Sequence, residues 1–405
     1  MNQTDLFSNP FRPGANHPPP HLAGRSDELD QFQKLLKQEV ISDNVIVSGL
    51  RGVGKTSLLV SFEPIARKAG WLWTGDDLTE SSTLSELTVA ERLITDLSLT
   101  LAPIFMQTQI EMPLGFTGKA KKNKKPVGYQ DLKQIFDDTP GLVSDKLKAV
   151  LRFVGTLIGS TNIEGIVFAY DEAQNLADRA DEGEYPFSLL LDVFQSVQRP
   201  PGGLKFILVL TGLPTLFPKL NETRTYTERM FEMMVLDSLE PDEAKEAIVK
   251  PVSEANCQVS FSDHTVDTIA EMSGGYPYFI QFICKEVFDV WIMRMGAGQD
   301  PSIPVDAIIK KLDQRFFSPR WDNATDRQRE FMLCAAILKN SKTEFTVQQI
   351  VESSKQQNIT KKFTISSAGM MMGKLVDADF MYRNRRGKYA FAVPMFDEFI
   401  LRQST

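Results

Sequence analysis

The sequence predicts an α/β fold: a parallel sheet with helices on both faces, then an all-helical stretch, then helices that end in a short hairpin. Three observations carry this expectation. Largely apolar, strand-like runs (Asn44–Ser48, Gly165–Tyr170, Leu204–Thr211) alternate with stretches of helical period, and strands apolar on both faces belong to covered parallel sheets. From Pro241 to about Phe317 the apolar spacing is helical throughout. Beyond residue 325, helical stretches (Gln328–Leu338, Val347–Ser354, Ser366–Asp377) run into Phe380–Arg383, a turn at Asn384–Lys388, and Tyr389–Val393.

In chain order, residues 1–21 are rich in Pro, Asn and Gly and read as an extended arm. From Ser26 to Glu39 the spacing of Leu29, Phe32, Leu35 and Leu36 gives an amphipathic helix. Asn44–Ser48 is a buried strand, Thr56–Ala69 a helix, Trp71–Thr74 a second strand, and 82–103 helical again. Pro, Gly and the cluster Lys119, Lys121, Lys122, Lys124 and Lys125 break the pattern at 104–128, which reads as an insertion. Helical segments continue to about Gly159, and Gly165–Tyr170, Leu204–Thr211 and Met233–Leu236 complete the sheet. The expected domains are a nucleotide-binding core at 22–240, a helical lid at 241–318 and a winged helix at 325–405. There is no internal repeat.

Composition narrows the class. The 405 residues are 42% apolar and 24% charged, as in ordinary globular chains of two or three domains. No run approaches the ~20 apolar residues of a membrane span, and the N-terminus lacks a charged start followed by an apolar core. A cytoplasmic location without a membrane partner is expected. Cys257, Cys284 and Cys334 lie far apart in apolar contexts, and His17, His21 and His264 are the only histidines. Reduced, buried thiols are expected, and a Cys/His zinc site is excluded. The net charge of -7 argues against a chain coated in nucleic acid, yet residues 320–405 hold 14 Lys/Arg against 9 Asp/Glu. A local anion-binding surface is expected there.

The sharpest motif is Gly49-Leu50-Arg51-Gly52-Val53-Gly54-Lys55-Thr56, followed by Ser57, between a strand and a helix. Such glycines let a loop wrap with its backbone N–H groups facing phosphates, and the helix N-terminus adds partial positive charge. Lys55 would reach the β- and γ-phosphates, and the Thr56 hydroxyl would coordinate magnesium. The second motif is Ile166–Tyr170 ending in Asp171-Glu172. A strand ending in two acids puts Asp171 at the sheet edge where ligands bind in open α/β sheets. Asp171 would join the magnesium shell, and Glu172 would polarise the attacking water. The expected cofactors are therefore ATP and Mg2+.

Further along, Leu204–Leu210 ends at Thr211, whose hydroxyl either bonds the γ-phosphate or water or simply caps the strand. Arg229, and after it Arg224, could stabilise charge on a neighbouring subunit's γ-phosphate; the alternative is pairing with Glu222 or Glu228.

Together these residues resemble the AAA+ ATPases, more narrowly the branch shared by archaeal origin-recognition initiators and STAND-type signalling ATPases. Leu22-Ala23-Gly24-Arg25 followed by Glu28-Leu29 is similar to the opening that lines the adenine pocket in that group. Gly274-Gly275-Tyr276-Pro277 resembles the Gly-x-Pro turn at the nucleotide in STAND proteins, which implicates Pro277. The resemblance implies that Thr211 is the sensor-1 position and Arg229 the interface finger, and it implies a homo-oligomer in the ATP state. The chain departs from the initiators by lacking a sensor-2 arginine at Gly275–Pro277, which implies weaker coupling and slow or partner-dependent turnover. Tyr389–Phe396 resembles the winged-helix ending of the group.

Two roles stay open. One is a DNA-associated ATPase, initiator-like or of a mobile element, with Ser366–Lys374 as recognition helix. Lys361, Lys362, Lys374, Arg383, Arg385, Arg386 and Lys388 would then be its DNA contacts. The other is a STAND-like switch acting on a separate protein effector, the winged helix serving as a protein dock. Met370, Met371 and Met372 suit an adaptable protein contact or a core better than base reading. A chaperone-like remodeller is weaker, because no aromatic-Gly pore signature stands out.

Overall fold

The computed structural model describes residues 9–14, 18–105, 127–199, 201–216, 219–220, 229–255, 260–296 and 304–404. The chain forms two compact units: a sheet unit (Asp27–Ser48 and Leu59–Val235) and a helical unit (Met1–Ser26, Gly49–Leu58 and Leu236–Thr405).

The sheet unit is built on five strands in the order β2-β3-β4-β1-β5: β1 Asn44–Gly49, β2 Trp71–Thr74, β3 Gly165–Tyr170, β4 Phe206–Gly212 and β5 Phe231–Leu236. The β2/β3, β3/β4 and β4/β1 pairings are parallel. β1, β3 and β4 are buried along their whole length. Ile166, Phe168 and Tyr170 join Phe206, Leu208 and Leu210 in one core with helices α3 Glu86–Phe105, α4 Tyr129–Asp138, α5 Val143–Ile158 and α6 Pro186–Gln198. Val167, Ile207 and Val209 alternate with them and are equally buried, so the opposite face is covered as well. Trp73, paired with Val167 on that face, meets Phe32 of α1 Ser26–Leu36, and Phe32 stacks at 4.2 Å on Phe62 of α2 Lys55–Lys68.

Buried polar groups fix the strand register. The Asn44 side chain accepts the Leu208 N–H at 2.8 Å and donates to the Met230 carbonyl at 3.3 Å. It also exchanges hydrogen bonds with Gln198, so the amide is satisfied at the junction of β1, β4 and β5. The sequence places the start of β4 at Leu204, but the strand begins at Phe206. Leu204 instead donates its N–H to Val197 of α6. A Cβ on Gly203 would lie 2.1 Å from the Gln198 carbonyl oxygen, so only glycine lets the chain double back there.

The helical unit comprises α7 Pro241–Glu254, α8 Asp263–Ser273, α9 Pro277–Gly296 and α10 Val305–Leu312, which opens through a wide turn at Asp313–Phe317 into α11 Ser318–Asp322. Then come α12 Asp326–Ala336, α13 Val347–Gln356, α14 Ile365–Asp377, an antiparallel hairpin of β6 Met381–Arg385 and β7 Lys388–Phe391, and α15 Phe396–Gln403. Thr325, Thr346 and Thr364 cap the last three helices before the hairpin, each accepting the N–H three residues on. Such caps satisfy otherwise orphaned donors. One continuous apolar core runs through this unit, in which the Phe317 ring meets those of Phe279, Phe316, Phe396 and Phe399.

The described part of the N-terminal arm is docked. Phe11 is buried in that core, and Asn9 donates to the Lys285 carbonyl (3.0 Å) and the Asp289 carboxylate (2.8 Å) on α9. Cys284 and Cys334 are buried thiols; Cys257 and His17 lie outside the described residues. Among the described residues no helix is long and apolar enough to cross a membrane.

Candidate functional site

The phosphate loop runs from the end of β1 into the first turn of α2. Gly52 and Gly54 hold φ of +82° and +95°, conformations that side chains rarely adopt. A Cβ on Gly49 would meet the Leu236 carbonyl oxygen at 2.6 Å. Tyr278 donates its N–H to the Gly52 carbonyl at 3.1 Å, which ties the loop to the start of α9. The Lys55 ammonium donates to the carbonyls of Gly49 and Leu50, 2.9 Å each, so it is held across the mouth of the loop. Thr56 and Ser57 are partly exposed on the first turn of α2.

A cleft opens beside the loop within the helical unit. Leu22, Ala23 and Arg25 line one side, Val53, Gly54 and Ser57 another, and Leu239, Pro277 and Gln281 a third. A mostly apolar lining with a few polar groups is the usual character of a small-molecule site. Arg25 is buried, and its guanidinium donates to the carbonyls of Gly24 (3.2 Å), Val53 (3.2 Å) and Asp237 (2.8 Å). It braces the loop from behind. Gly24, at φ +64°, sits against α7, where a Cβ would lie 2.6 Å from the Glu243 carboxylate. Leu239 donates its N–H to Gly275 at 2.9 Å, and this turn presents Pro277 to the cleft.

The acid pair lies in the sheet unit. Asp171 follows β3 directly and is only 4% exposed. Its Oδ1 accepts the Thr211 hydroxyl and the Glu172 N–H, the latter at 2.7 Å. Register places Thr211 opposite Val47, and Gly212 opposite Ser48. The acids, Thr211 and the end of β1 therefore share the C-terminal edge of the sheet. Glu172 is a non-glycine residue at φ +54°, a strained conformation of the kind that gathers at working sites.

Two neighbours escaped the sequence reading. Gln174 donates its amide to the Glu172 carboxylate and accepts the Leu213 N–H at 3.1 Å, joining the second acid to the end of β4. Asp77, on the loop after β2, has its pKa raised by burial first and then by Asp171, Asp76 and Glu172. No local sequence signal marks either residue; their roles come from the sheet order.

The candidate cations divide. Arg229 is exposed in the turn before β5 and has no ion partner among the described residues. Arg224 and the lysine cluster 119–125 lie outside the described residues, as does nearly all of the 104–128 insertion. Arg51 pairs with Asp379 at 3.0 Å. Arg385 forms a bidentate pair with Glu344, its Nε 3.0 Å from both oxygens, and Asn384 adds a hydrogen bond at 3.1 Å. This hydrogen bonding, Arg385's first, holds the Glu344 carboxyl below its usual range. Lys361, Lys374, Arg383 and Arg386 are exposed, Lys362 donates to the Gln357 carbonyl, and Lys388 is half-buried. On α14, Ala368, Met372 and Leu375 face inward, whereas Met370 is 66% exposed.

Comparison with known proteins agrees with this architecture. Residues 21–207 match the AAA ATPase domain family, and residues 314–400 match a domain of unknown function (DUF8462). No curated protein matches the chain. Among solved structures, the ADP form of the Aeropyrum pernix ORC2 protein is similar at a TM-score of 0.54 and 13% identity, over 96% of this chain and 97% of that one. The same protein in ADPNP-ADP complexes gives 0.51 and 14%, over 97% and 98%. The A. pernix ORC1 protein in complex with DNA gives 0.50 and 14%, over 98% and 97%. At such identities the likeness is one of fold. Residues 21–207 thus resemble an AAA ATPase domain, and the chain shares the AAA+ fold of the A. pernix ORC1 and ORC2 proteins.

Proposed function

We propose that the protein binds ATP with Mg2+, hydrolyses it, and uses the nucleotide state to govern contact of its C-terminal helices and hairpin with DNA. The observation that carries this reading is the constellation at the sheet edge, where the Thr211 hydroxyl and the Glu172 N–H both donate to Asp171. A carboxylate fixed by two donors, followed by a second carboxylate on a strained backbone, suits separate duties for two adjacent acids.

In this reading the phosphate loop and the N-terminus of α2 hold the phosphates, and Lys55 leaves the Gly49 and Leu50 carbonyls for the β- and γ-phosphate oxygens. Thr56 and Asp171, a hydroxyl and a carboxylate, are the hard oxygen donors that suit Mg2+, which would neutralise charge on the phosphates. Glu172 takes the proton of the attacking water. Thr211 senses the γ-phosphate through its bond to Asp171. The exposed Arg229 would act in trans, on the nucleotide of a neighbouring copy in an ATP-bound homo-oligomer. The cationic excess at 320–405 supports DNA as the client, as does the fold shared with an ORC1 protein solved in complex with DNA. A cytoplasmic setting is part of the same reading.

Substitution of Glu172 by Gln tests the chemistry. Glu172→Gln should bind ATP like the parent and lower turnover by about 100-fold or more, the usual contribution of a general base. Turnover at the parental rate would refute the assignment.

A further inference from the structure

Gln281 lies on α9, one turn beyond Pro277, and lines the cleft beside the phosphate loop. It is 8% exposed, and its amide oxygen has no hydrogen-bond partner among the described residues. A buried acceptor left unsatisfied is destabilising, and native chains keep few of them. Its neighbours on α9, Phe279, Ile280, Phe282 and Ile283, are buried and apolar, so an apolar residue would suit the helix at this position. Gln281 is the one polar side chain that α9 contributes to the lining of the cleft.

Among the other lining groups, the Ser57 hydroxyl belongs to the first turn of α2, at the phosphate loop. Leu22, Ala23, Leu239 and Pro277 can pack against a flat ring but offer no polar side-chain atom. The Arg25 guanidinium is spent on three carbonyls, and a His21 ring nitrogen is engaged with Glu246 at 3.1 Å.

We infer that Gln281 reads the base of the bound nucleotide, its amide oxygen accepting a hydrogen bond from the 6-amino group of adenine. This rests on the proposal that ATP occupies the cleft and adds which atom selects the base. A glutamine amide matches adenine because acceptor and donor meet donor and acceptor on the ring edge. A 6-oxopurine presents a carbonyl at the same place, so two acceptors face each other in a site shielded from water. The cleft therefore prefers adenine over hypoxanthine or guanine.

Equilibrium binding of ATP and of inosine triphosphate, each with Mg2+, to the full chain and to Gln281→Met and Gln281→Leu tests this. The parent should bind ATP about 10- to 100-fold more tightly than inosine triphosphate, the effect of one buried acceptor satisfied or opposed. In both variants the two affinities should converge to within about threefold, chiefly through weaker ATP binding. A parent that binds both alike, or variants that keep the parental preference, would overturn the role of Gln281 while leaving ATP binding intact. A parent that binds neither nucleotide would overturn the ATP reading and this inference with it. Inosine triphosphate shares the phosphates and ribose, so a misfolded variant loses both ligands together, and the other variant then decides.

Discussion

Asp96 on α3 is 6% exposed, accepts the Tyr170 hydroxyl at 3.0 Å and pairs with the Arg92 Nε at 3.0 Å. Burial pushes its carboxyl above the usual range, and Arg92 and then Tyr170 pull it back. Tyr170, fully buried beside this carboxylate, is pushed well above an ordinary phenol. The bond favours ionised Asp96, so Tyr170→Phe should raise the Asp96 pKa further. The stability lost should be largest above the ordinary carboxylate range and should return as pH falls through the folded-state value. Chemical denaturation at about pH 7 should show a loss on the order of 1–2 kcal/mol, shrinking in acid; an equal loss at both would contradict the network. At this scale the positions of the glycine-rich loop and the acid pair at strand ends were legible, because both motifs directly follow apolar strand-like runs. Gln174 and Gln281 were not, since a glutamine's role depends on which tertiary neighbours its amide meets.

The strands were legible because β1, β3 and β4 are apolar on both faces, a pattern few other elements share. The end of the chain was harder to read. The apolar run Tyr389–Phe396 continues past the hairpin without a period change, and the sequence reading stopped there. In the structure Met395 turns the chain at φ +59°, and α15 follows with Asp397 and Glu398 in its first turn. The hairpin before it carries exposed Arg383 and Arg386, while Arg385 is held by Glu344. If the hairpin contacts DNA phosphates, replacing Arg383 and Arg386 with Ala should weaken duplex binding alike on all sequences. It should also flatten the slope of log affinity against log salt by roughly two. Unchanged affinity and slope would remove the hairpin from the DNA proposal.

At the scale of the whole chain, the fold class followed from alternating periodicities, and the match of residues 21–207 to an AAA ATPase domain agrees with it. What periodicity could not supply was the partition into a sheet unit and a helical unit that takes in the phosphate loop. That partition depends on long-range contacts: the N–H of Tyr278 on Gly52, the pairing of Arg51 with Asp379, and Arg25 bridging Val53 and Asp237. None of these pairs is close in sequence. The proposed function requires this loop to grip a nucleoside triphosphate through Lys55. Titration of ATP with Mg2+ into the parent and Lys55→Ala tests it most directly. The parent should bind saturably, and the variant, while still folded, should lose about 100-fold or more in affinity. Equal affinity in the two proteins, or no binding by the parent, would contradict it.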